Sequence, residues 1–183
     1  LWKQRFFYFV TKFEFNILDT LGKASTLSTV QIDVENTERF GITYVDENSE
    51  RQHMPMLYTS IAGAIDRNLH ALLEKQAMKM KKGQKASWPL WLAPTQVRFV
   101  PVSEKYIEVA EKMMEAIPFR ADLDDRDLSL GKRIRFAEKE WVPFIAVVGE
   151  KEKESGTLAV RVRGQGKKQV EMTPEELTKT IMD

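Results

Sequence analysis

The first third of the chain alternates apolar and polar residues in short runs, a pattern typical of β-strands. The runs from Phe6 to Leu18 and from Thr26 to Val34 place apolar residues at alternate positions. Further strands are predicted at 40–45 and 54–59, with polar turns between them. Successive strands with short turns favour an antiparallel sheet, and the alternation predicts that its first strand is half-buried.

The hydrophobic period changes after this sheet. From Gly63 to about Lys82 the apolar residues recur at helical spacing, which predicts an amphipathic helix. The polar, glycine-containing segment 83–88 then predicts a linker. We therefore place a first domain at 1–82 and a second domain at 89–183.

The second domain alternates predicted strands with predicted helices, which indicates a small α/β domain with a mixed, mostly parallel sheet. Ser103 is the predicted cap of its first helix, and Thr173 with Pro174 the predicted start of its last helix. The predicted strands are 96–102, 119–123, 141–148 and 157–163, and the predicted inner helices are 103–117 and 128–140.

Composition and charge restrict the possible functions. The chain has no cysteine and two histidines, so it holds no disulfide, no thiol nucleophile and no all-histidine zinc site. Its 28 basic and 27 acidic residues give a net charge of +1, which excludes a protein that coats nucleic acid through bulk charge. No apolar run reaches the length of a membrane span. Any nucleic-acid contact must therefore come from a local patch.

The strongest local charge pattern lies between a predicted strand and a predicted helix of the second domain. Four acids fall within 122–127, and Lys132, Arg133 and Arg135 follow in the first turns of the helix. Cations there oppose the helix dipole, a cost that a phosphate partner would reverse. A solvated cluster in which acids and bases neutralise each other explains the pattern equally well.

Weaker signals stand elsewhere in the chain. Gly63 leaves room for a planar ligand near the backbone, and Arg67 follows one helical turn later, where it could hold a phosphate. A helix-packing glycine and a surface arginine are the simpler interpretation. Arg161 and Arg163 share one strand face, which fits either a polar binding surface or a charged sheet edge.

Taken in order, the motifs resemble a known family. The segments Leu27-Ser-Thr-Val-Gln-Ile-Asp33, Glu38-Arg-Phe-Gly-Ile-Thr-Tyr44 and 55–67 are similar to the end of the catalytic core of class II threonyl-tRNA synthetases of the archaeal type. The segments Trp88–Val97, with Leu130–Arg135 and 142–149, resemble the anticodon-binding domain of the same family. The resemblance implies a truncated antiparallel class II sheet with the motif 3 helix, followed by a small α/β anticodon-binding domain.

For the first domain, the resemblance implies a wall of an ATP site. Arg67 falls on the motif 3 arginine, the catalytic residue that contacts ATP, and Gly63 on the glycine near the adenine. Thr29 and Gln31 fall in the threonine and adenylate pocket. The resemblance implies ATP with Mg²⁺ as the cofactor of the parent enzyme. Tyr58 stands where the family usually has a zinc-ligating histidine, and the other two ligands would lie upstream of Leu1, so no zinc is expected in this chain.

For the second domain, the resemblance implies contacts with anticodon bases or their phosphates. Lys132, in the cation-rich helix start, joins the residues that match the family pattern. The predicted RNA-binding residues are Arg126, Asp127, Lys132, Arg135, Glu152 and Arg161.

The implied parent protein is a cytoplasmic, homodimeric enzyme that activates threonine with ATP and transfers it to tRNA, without a membrane partner. Because the chain starts at Leu1 and carries neither motif 1 nor motif 2, we expect it to be a fragment that binds tRNA without aminoacylating it. The alternative is a non-catalytic paralogue that serves as an RNA-binding or regulatory module. Tyr58 favours the paralogue, whereas Arg67, Gln31 and Gly63 favour the enzyme.

Overall fold

The computed structural model describes residues 7–166 and 168–182 of the chain. The chain divides into two compact units, residues 1–78 and residues 79–183, and each has a β-sheet of its own. The predicted α/β class, an antiparallel sheet followed by a mixed one, is confirmed. A single helix, Ile65–Lys81, runs through the point of division, so the predicted domain limits stay a prediction.

The first unit is based on a three-stranded antiparallel sheet in the order β1-β2-β5, and β3 pairs with β4 in a separate short hairpin. The elements of this unit are β1 (Phe9–Leu18), β2 (Ala24–Asp33), α1 (Asn36–Arg39), β3 (Tyr44–Val45), β4 (Arg51–Gln52), β5 (Met56–Ser60) and α2 (Ile65–Lys81).

The turn between β1 and β2 is held by one aspartate. The Asp19 carboxylate accepts the backbone N–H groups of Leu21 and Lys23, each at 2.8 Å. These bonds, that of Lys23 above all, lower the pKa of Asp19. The turn aligns the two strands so that Phe13 lies opposite Val30.

The predicted burial of β1 is wrong. Phe13 and Phe15 are 63% and 62% exposed, although their alternation with polar residues is typical of a half-buried strand. Alternation determines which side chains share a face of the sheet, but burial requires another element against that face.

The strand predicted at 40–45 is also shorter than expected. The Asp33 carboxylate accepts the N–H groups of Glu35 and Asn36, each at 2.9 Å, and thereby turns the chain out of β2 into the short helix α1. Only Tyr44–Val45 remains extended, paired with Arg51–Gln52.

The second unit has a five-stranded mixed sheet in the order β10-β9-β8-β6-β7. The strands β7, β6 and β8 are parallel, whereas β9 and β10 are antiparallel to their neighbours. The elements of this unit are β6 (Val97–Pro101), α3 (Ile107–Glu115), β7 (Ala121–Leu123), α4 (Leu130–Lys139), β8 (Phe144–Val148), α5 (Glu150–Ser155), β9 (Leu158–Val162), β10 (Gln169–Met172) and α6 (Pro174–Met182).

Helices cover both faces of this sheet. Residues of α3 and α6, among them Ala110 and Leu177, pack with Phe99 in one apolar core. Residues of α4, Ile134 and Ala137, pack on the opposite face in a second core. The strand β8 lies between the two cores and is buried along its whole length, as its continuous apolar run predicts.

The helix starts agree with the sequence in one case and differ in another. Thr173 Oγ1 accepts the N–H of Glu176 at 3.2 Å, and Glu176 Oε2 accepts the N–H of Thr173 at 2.9 Å, which is a capping box and confirms the predicted start. The predicted Ser103 cap is wrong, because its side chain makes no capping bond and a 3₁₀ turn, Glu104–Tyr106, precedes α3. The strand β10 and the helix α5 were not predicted.

Candidate functional site

A candidate nucleotide site lies at the start of α2 in the first unit. Arg67 is exposed in the first turn of this helix and lines an open pocket of about 440 Å³. Ser25, Thr26 and Leu27 of β2 line the same pocket, together with His70. A guanidinium exposed in such a pocket can donate two parallel hydrogen bonds to a phosphate.

The glycine beside this arginine is required by the backbone. Gly63 has a φ of +66°, in the left-handed region, and an added Cβ would lie 2.1 Å from the carbonyl oxygen of Leu27. Any other residue would therefore push the chain away from β2 at the entrance to the helix.

The two remaining residues predicted for this site lie further along β2. Gln31 is buried, and its Nε2 donates to the Tyr8 hydroxyl at 2.9 Å. Thr29 is half-buried and lies two residues away on the same face of the strand. The structure therefore places Gly63 and Arg67 beside the first half of β2, near Leu27. Thr29 and Gln31 lie in the second half of the same strand.

Tyr58, which the resemblance places at the zinc-binding position, lies on β5 of this unit. Tyr58 is the register partner of Gln31 on β5 and is 52% exposed. A zinc ion needs three or four closely spaced nitrogen, sulfur or oxygen ligands. Among the residues that the structure describes, no group of three histidine, cysteine or carboxylate side chains could hold a metal ion. The donor set of these residues therefore does not fit zinc.

The second candidate site is a crevice at the carboxyl ends of β6 and β7. The chain leaves β6 for α3 on one face of the sheet and leaves β7 for α4 on the other, which is where open α/β sheets bind ligands. A pocket of about 220 Å³ opens there between residues 101–104 and residues 125–128. The predicted Arg126 and Asp127 both line it.

A paired aspartate fixes the rim of this crevice. The Asp124 carboxylate, whose side chain is 2% exposed, accepts two hydrogen bonds from Arg126, at 2.7 and 2.8 Å. These bonds lower the pKa of Asp124. The Arg126 guanidinium also lies over the Phe136 ring, 4.9 Å from its centroid, so it is held in place on two sides.

Arg133 also lies at this crevice, although it is not among the predicted RNA-binding residues. It is 5% exposed, and its Nη1 donates to the backbone oxygen of Asp124 at 2.8 Å. Its Nε is buried without a hydrogen-bond partner in the described part of the chain, and Arg133 also lines the pocket. The available signal was its spacing, since Arg133 lies beside Ile134 and four residues before Ala137, both on the buried side of α4.

Two other predicted residues lie elsewhere on the second unit. Glu152 Oε2 accepts the N–H of Gly149 at 2.8 Å and so caps the start of α5. Arg161 lies on β9 opposite Ile145 of β8, and its Nε is buried without a partner among the described residues. Arg161 lines a small cavity together with Lys85.

The last two predicted residues are exposed on α4 and point to different surroundings. Lys132 lies in the first turn of the helix, and Arg135 lines a separate open cleft with Lys139 and Trp141. The structure therefore distributes the six predicted RNA-binding residues over several places on one unit, and only Arg126 and Asp127 share the crevice.

A comparison with protein-family models identifies the kind of domain that the second unit resembles. Residues 96–183 match the family model described as an anticodon binding domain. Within the described residues, no helix is both long enough and apolar enough to cross a membrane.

Full-length comparisons extend the likeness to both units. The chain is 57% identical to the threonine–tRNA ligase of Pyrococcus furiosus and 56% identical to that of Pyrococcus horikoshii, over 99% and 100% of its length. It covers 29% and 30% of those two proteins. Among solved structures, the RNA binding domain of threonyl-tRNA synthetase from Cryptosporidium parvum superposes with a TM-score of 0.69 at 23% identity, over 93% of this chain and 42% of that one, which supports the fold.

Along its whole length the chain is therefore homologous to threonine–tRNA ligases, and its residues 96–183 match an anticodon binding domain. It spans less than a third of the length of the curated relatives it matches.

Proposed function

We propose that this chain is the tRNA-binding part, with one wall of the ATP site, of an enzyme that joins threonine to its tRNA. The observation that carries the proposal is the 57% identity to a threonine–tRNA ligase along 99% of the chain, with an anticodon-binding domain at 96–183. The crevice beside Arg126 supplies a place where such a domain could receive RNA.

The second unit would read unpaired anticodon bases by their edges. Arginine N–H groups donate to base carbonyl oxygens and ring nitrogens, and carboxylates accept from base amino groups. Arg126, Asp127, Glu152 and Arg161 supply both kinds of group. Lys132 and Arg135 are exposed cations suited to the phosphates that flank the bases.

The first unit would hold the nucleotide and the amino acid. Arg67 would bind a phosphate of ATP. Gly63 would lie near the adenine, where the missing Cβ leaves room for the Leu27 carbonyl oxygen. Thr29 and Gln31 would line the threonine pocket. Mg²⁺, bound with ATP, would neutralise phosphate charge during adenylate formation. From the homology to these ligases we also infer a homodimeric parent enzyme in the cytoplasm.

The direct test is the binding of this chain to threonine tRNA and to the same tRNA with an altered anticodon, at one salt concentration. We expect discrimination of at least about tenfold, or about 1.4 kcal/mol. Equal binding of the two RNAs would contradict anticodon reading. It would instead support the non-catalytic paralogue, which the high identity to the ligases does not favour.

Two substitutions refine this test. Arg126→Ala should weaken tRNA binding by about 1–3 kcal/mol if its guanidinium contacts a base. Because this change also leaves the buried Asp124 unpaired, Asp127→Asn serves as a second variant with an exposed side chain. Lys112→Ala, on α3, is the matched control. Unchanged affinity in both test variants would return the crevice to a solvated charge cluster.

Catalysis by these 183 residues alone is not expected. The chain covers less than a third of its ligase relatives, and we expect it to bind tRNA without attaching threonine. An aminoacylation assay with radiolabelled threonine checks this, with a full-length ligase as the positive control. Detectable turnover would contradict the expectation.

A further inference from the structure

The second unit has a cleft, of about 450 Å³, on the solvent side of α4. Four cations line it, and we call them together the basic cleft: Lys85, Arg135, Lys139 and Arg163. Among the described residues, the only acid that lines it is Glu138, so the lining carries a net charge of about +3 at neutral pH.

The cations of the basic cleft are not neutralised by acids. Arg163 Nη1 donates to the backbone oxygen of Glu138 at 2.8 Å, and its Nε donates to that of Ala86. Carbonyl oxygens hold the guanidinium in place without cancelling its charge, and burial lowers the pKa of Arg163. In the described part of the chain, Arg135 and Lys139 form no ion pair.

Two other arginines of this unit, unlike the cations of the basic cleft, form ion pairs with carboxylates. Arg98 lies between the carboxylates of Asp122 and Glu140, with contacts of 2.7 and 2.6 Å, and Arg126 is paired with Asp124. Arg98 and Arg126 are therefore each neutralised by carboxylates of the fold. In the basic cleft, by contrast, Arg135 and Lys139 have no carboxylate partner among the described residues, and Lys139 Nζ lies only over the Phe136 ring, 6.0 Å from its centroid.

A strained tryptophan forms one wall of the basic cleft. Trp141 ends α4 in the left-handed region, with a φ of +61°, a position at which glycine is usual. The N–H of Val142 bonds to the oxygen of Ala137, which closes the helix end in spite of the bulky residue. The Trp141 ring packs on Trp88, 5.2 Å between centroids, and so adds a rigid aromatic surface beside the cations.

We propose that the basic cleft binds the phosphodiester backbone of tRNA outside the anticodon bases. This inference rests on the proposed function, and it extends the phosphate-binding role of Arg135 to the RNA backbone outside the anticodon. Arg135 and Lys139 are four residues apart on one helix face, so their side chains start about 5–6 Å from each other and can meet neighbouring phosphates. Because residues 96–183 of the same unit match an anticodon binding domain, an RNA strand is the polyanion expected to bind beside the basic cleft.

The test measures how tRNA affinity depends on salt for Arg135→Gln/Lys139→Gln. Phosphate contacts release counterions, so losing two of them should make the log–log salt slope less steep by about 1.4–1.8 and lower affinity by about tenfold or more at 0.1 M salt. The ratio of affinities for the correct and altered anticodons should not change, because the backbone carries no sequence information.

The matched control is Lys112→Gln/Lys179→Gln, which removes two exposed cations from α3 and α6 on the other sheet face. We expect this control to keep the wild-type slope. Both double variants should keep the wild-type thermal midpoint, since none of the four side chains is buried.

The outcomes separate the two proposals. A cleft variant with wild-type slope and affinity, measured while anticodon discrimination persists, would overturn the basic cleft alone. A flatter slope without anticodon discrimination in the wild type would support the cleft and overturn the proposed function. Binding of a labelled polyglutamate peptide that the cleft variant loses, with tRNA binding unchanged, would overturn the RNA assignment in favour of an acidic protein partner.

Discussion

The two units differ in what they bury. In the described part of the first unit the buried side chains are all polar, namely Gln31, Asp33, Thr37 and Gln76. Every buried apolar side chain in the described residues lies at Ala86 or beyond, in the second unit. On the first unit, Phe13, Phe15 and Leu57 expose more than 60% of their surface.

The second unit therefore has an apolar core of its own, whereas the described residues of the first unit form none. Burying apolar surface contributes about 25 cal/mol per Å², and it is the main favourable contribution to folding. The second unit obtains that contribution from cores on both faces of its sheet. The first unit leaves large apolar side chains exposed on its strands, so burial of apolar surface within this unit contributes less to its stability.

The largest effect is expected when one phenylalanine in each unit is replaced by alanine. Phe99 is fully buried, so Phe99→Ala should lower the free energy of unfolding by about 3–5 kcal/mol. Phe13→Ala should change it by less than about 0.5 kcal/mol, as for other exposed positions. Urea unfolding followed by far-UV circular dichroism measures both. A cost for Phe13→Ala equal to that of Phe99→Ala would mean that β1 is covered after all.

The next test asks whether the backbone of the first unit is tightly constrained at Gly63. Gly63→Ala and Gly22→Ala both place alanine at positive φ, which costs about 1–2 kcal/mol. Only the Gly63 variant adds a clash, with the Leu27 oxygen, so it should be the more destabilising of the two and should weaken ATP binding. Amide hydrogen exchange within β2 and nucleotide titration provide the measurements. Equal effects of the two changes would show that the β5–α2 connection yields freely.

A third test concerns the buried ion pair of the second unit. Asp124→Asn should cost about 1–3 kcal/mol at neutral pH, because Arg126 and the buried site lose the carboxylate. The pKa of Asp124 is lowered in the fold, so its stabilisation is complete above the unfolded value of about 3.9 and is lost as pH falls through the lower folded value.

The stability difference between wild type and Asp124→Asn should therefore shrink only below about pH 4. Thermal unfolding from pH 7 to pH 2 measures it, with the exposed neighbour in Asp125→Asn as control. A difference that stays constant down to pH 2 would contradict the assignment of a lowered pKa to this carboxyl.

Much of the fold could be predicted from local pattern. The apolar run 141–148 contains the buried strand β8, and Thr173 with Pro174 does begin α6. The helix α5 was missed because its six residues are polar and have no hydrophobic period, although Gly149 and Gly156 bracket it. The left-handed Gly156, with a φ of +69°, was the available stop signal.

Less of the candidate site could be predicted, because charge in a sequence does not reveal burial. The sequence shows Asp124 as one of several neighbouring acids, yet its side chain is nearly inaccessible and paired with Arg126. Its environment is set by the backbone bond from its N–H to Phe99 and by Arg133, which reaches it from nine residues away. Such contacts arise from the packing of α4 on the sheet. Helical spacing indicates that Arg133 lies on the buried side of α4, but it does not indicate which atoms its side chain contacts.

The cap at the start of α5 has a consequence for recognition. One oxygen of Glu152 is already fixed by the Gly149 amide in the free protein. Ordering a free glutamate side chain costs about 1.5–2 kcal/mol of rotamer entropy, and here folding has already met that cost. A carboxylate preorganised in this way can present its other oxygen to an incoming base without a further entropic penalty. Glu152→Asp keeps the charge but shortens the side chain by one methylene, so it would convert a rigid acceptor into a mobile one.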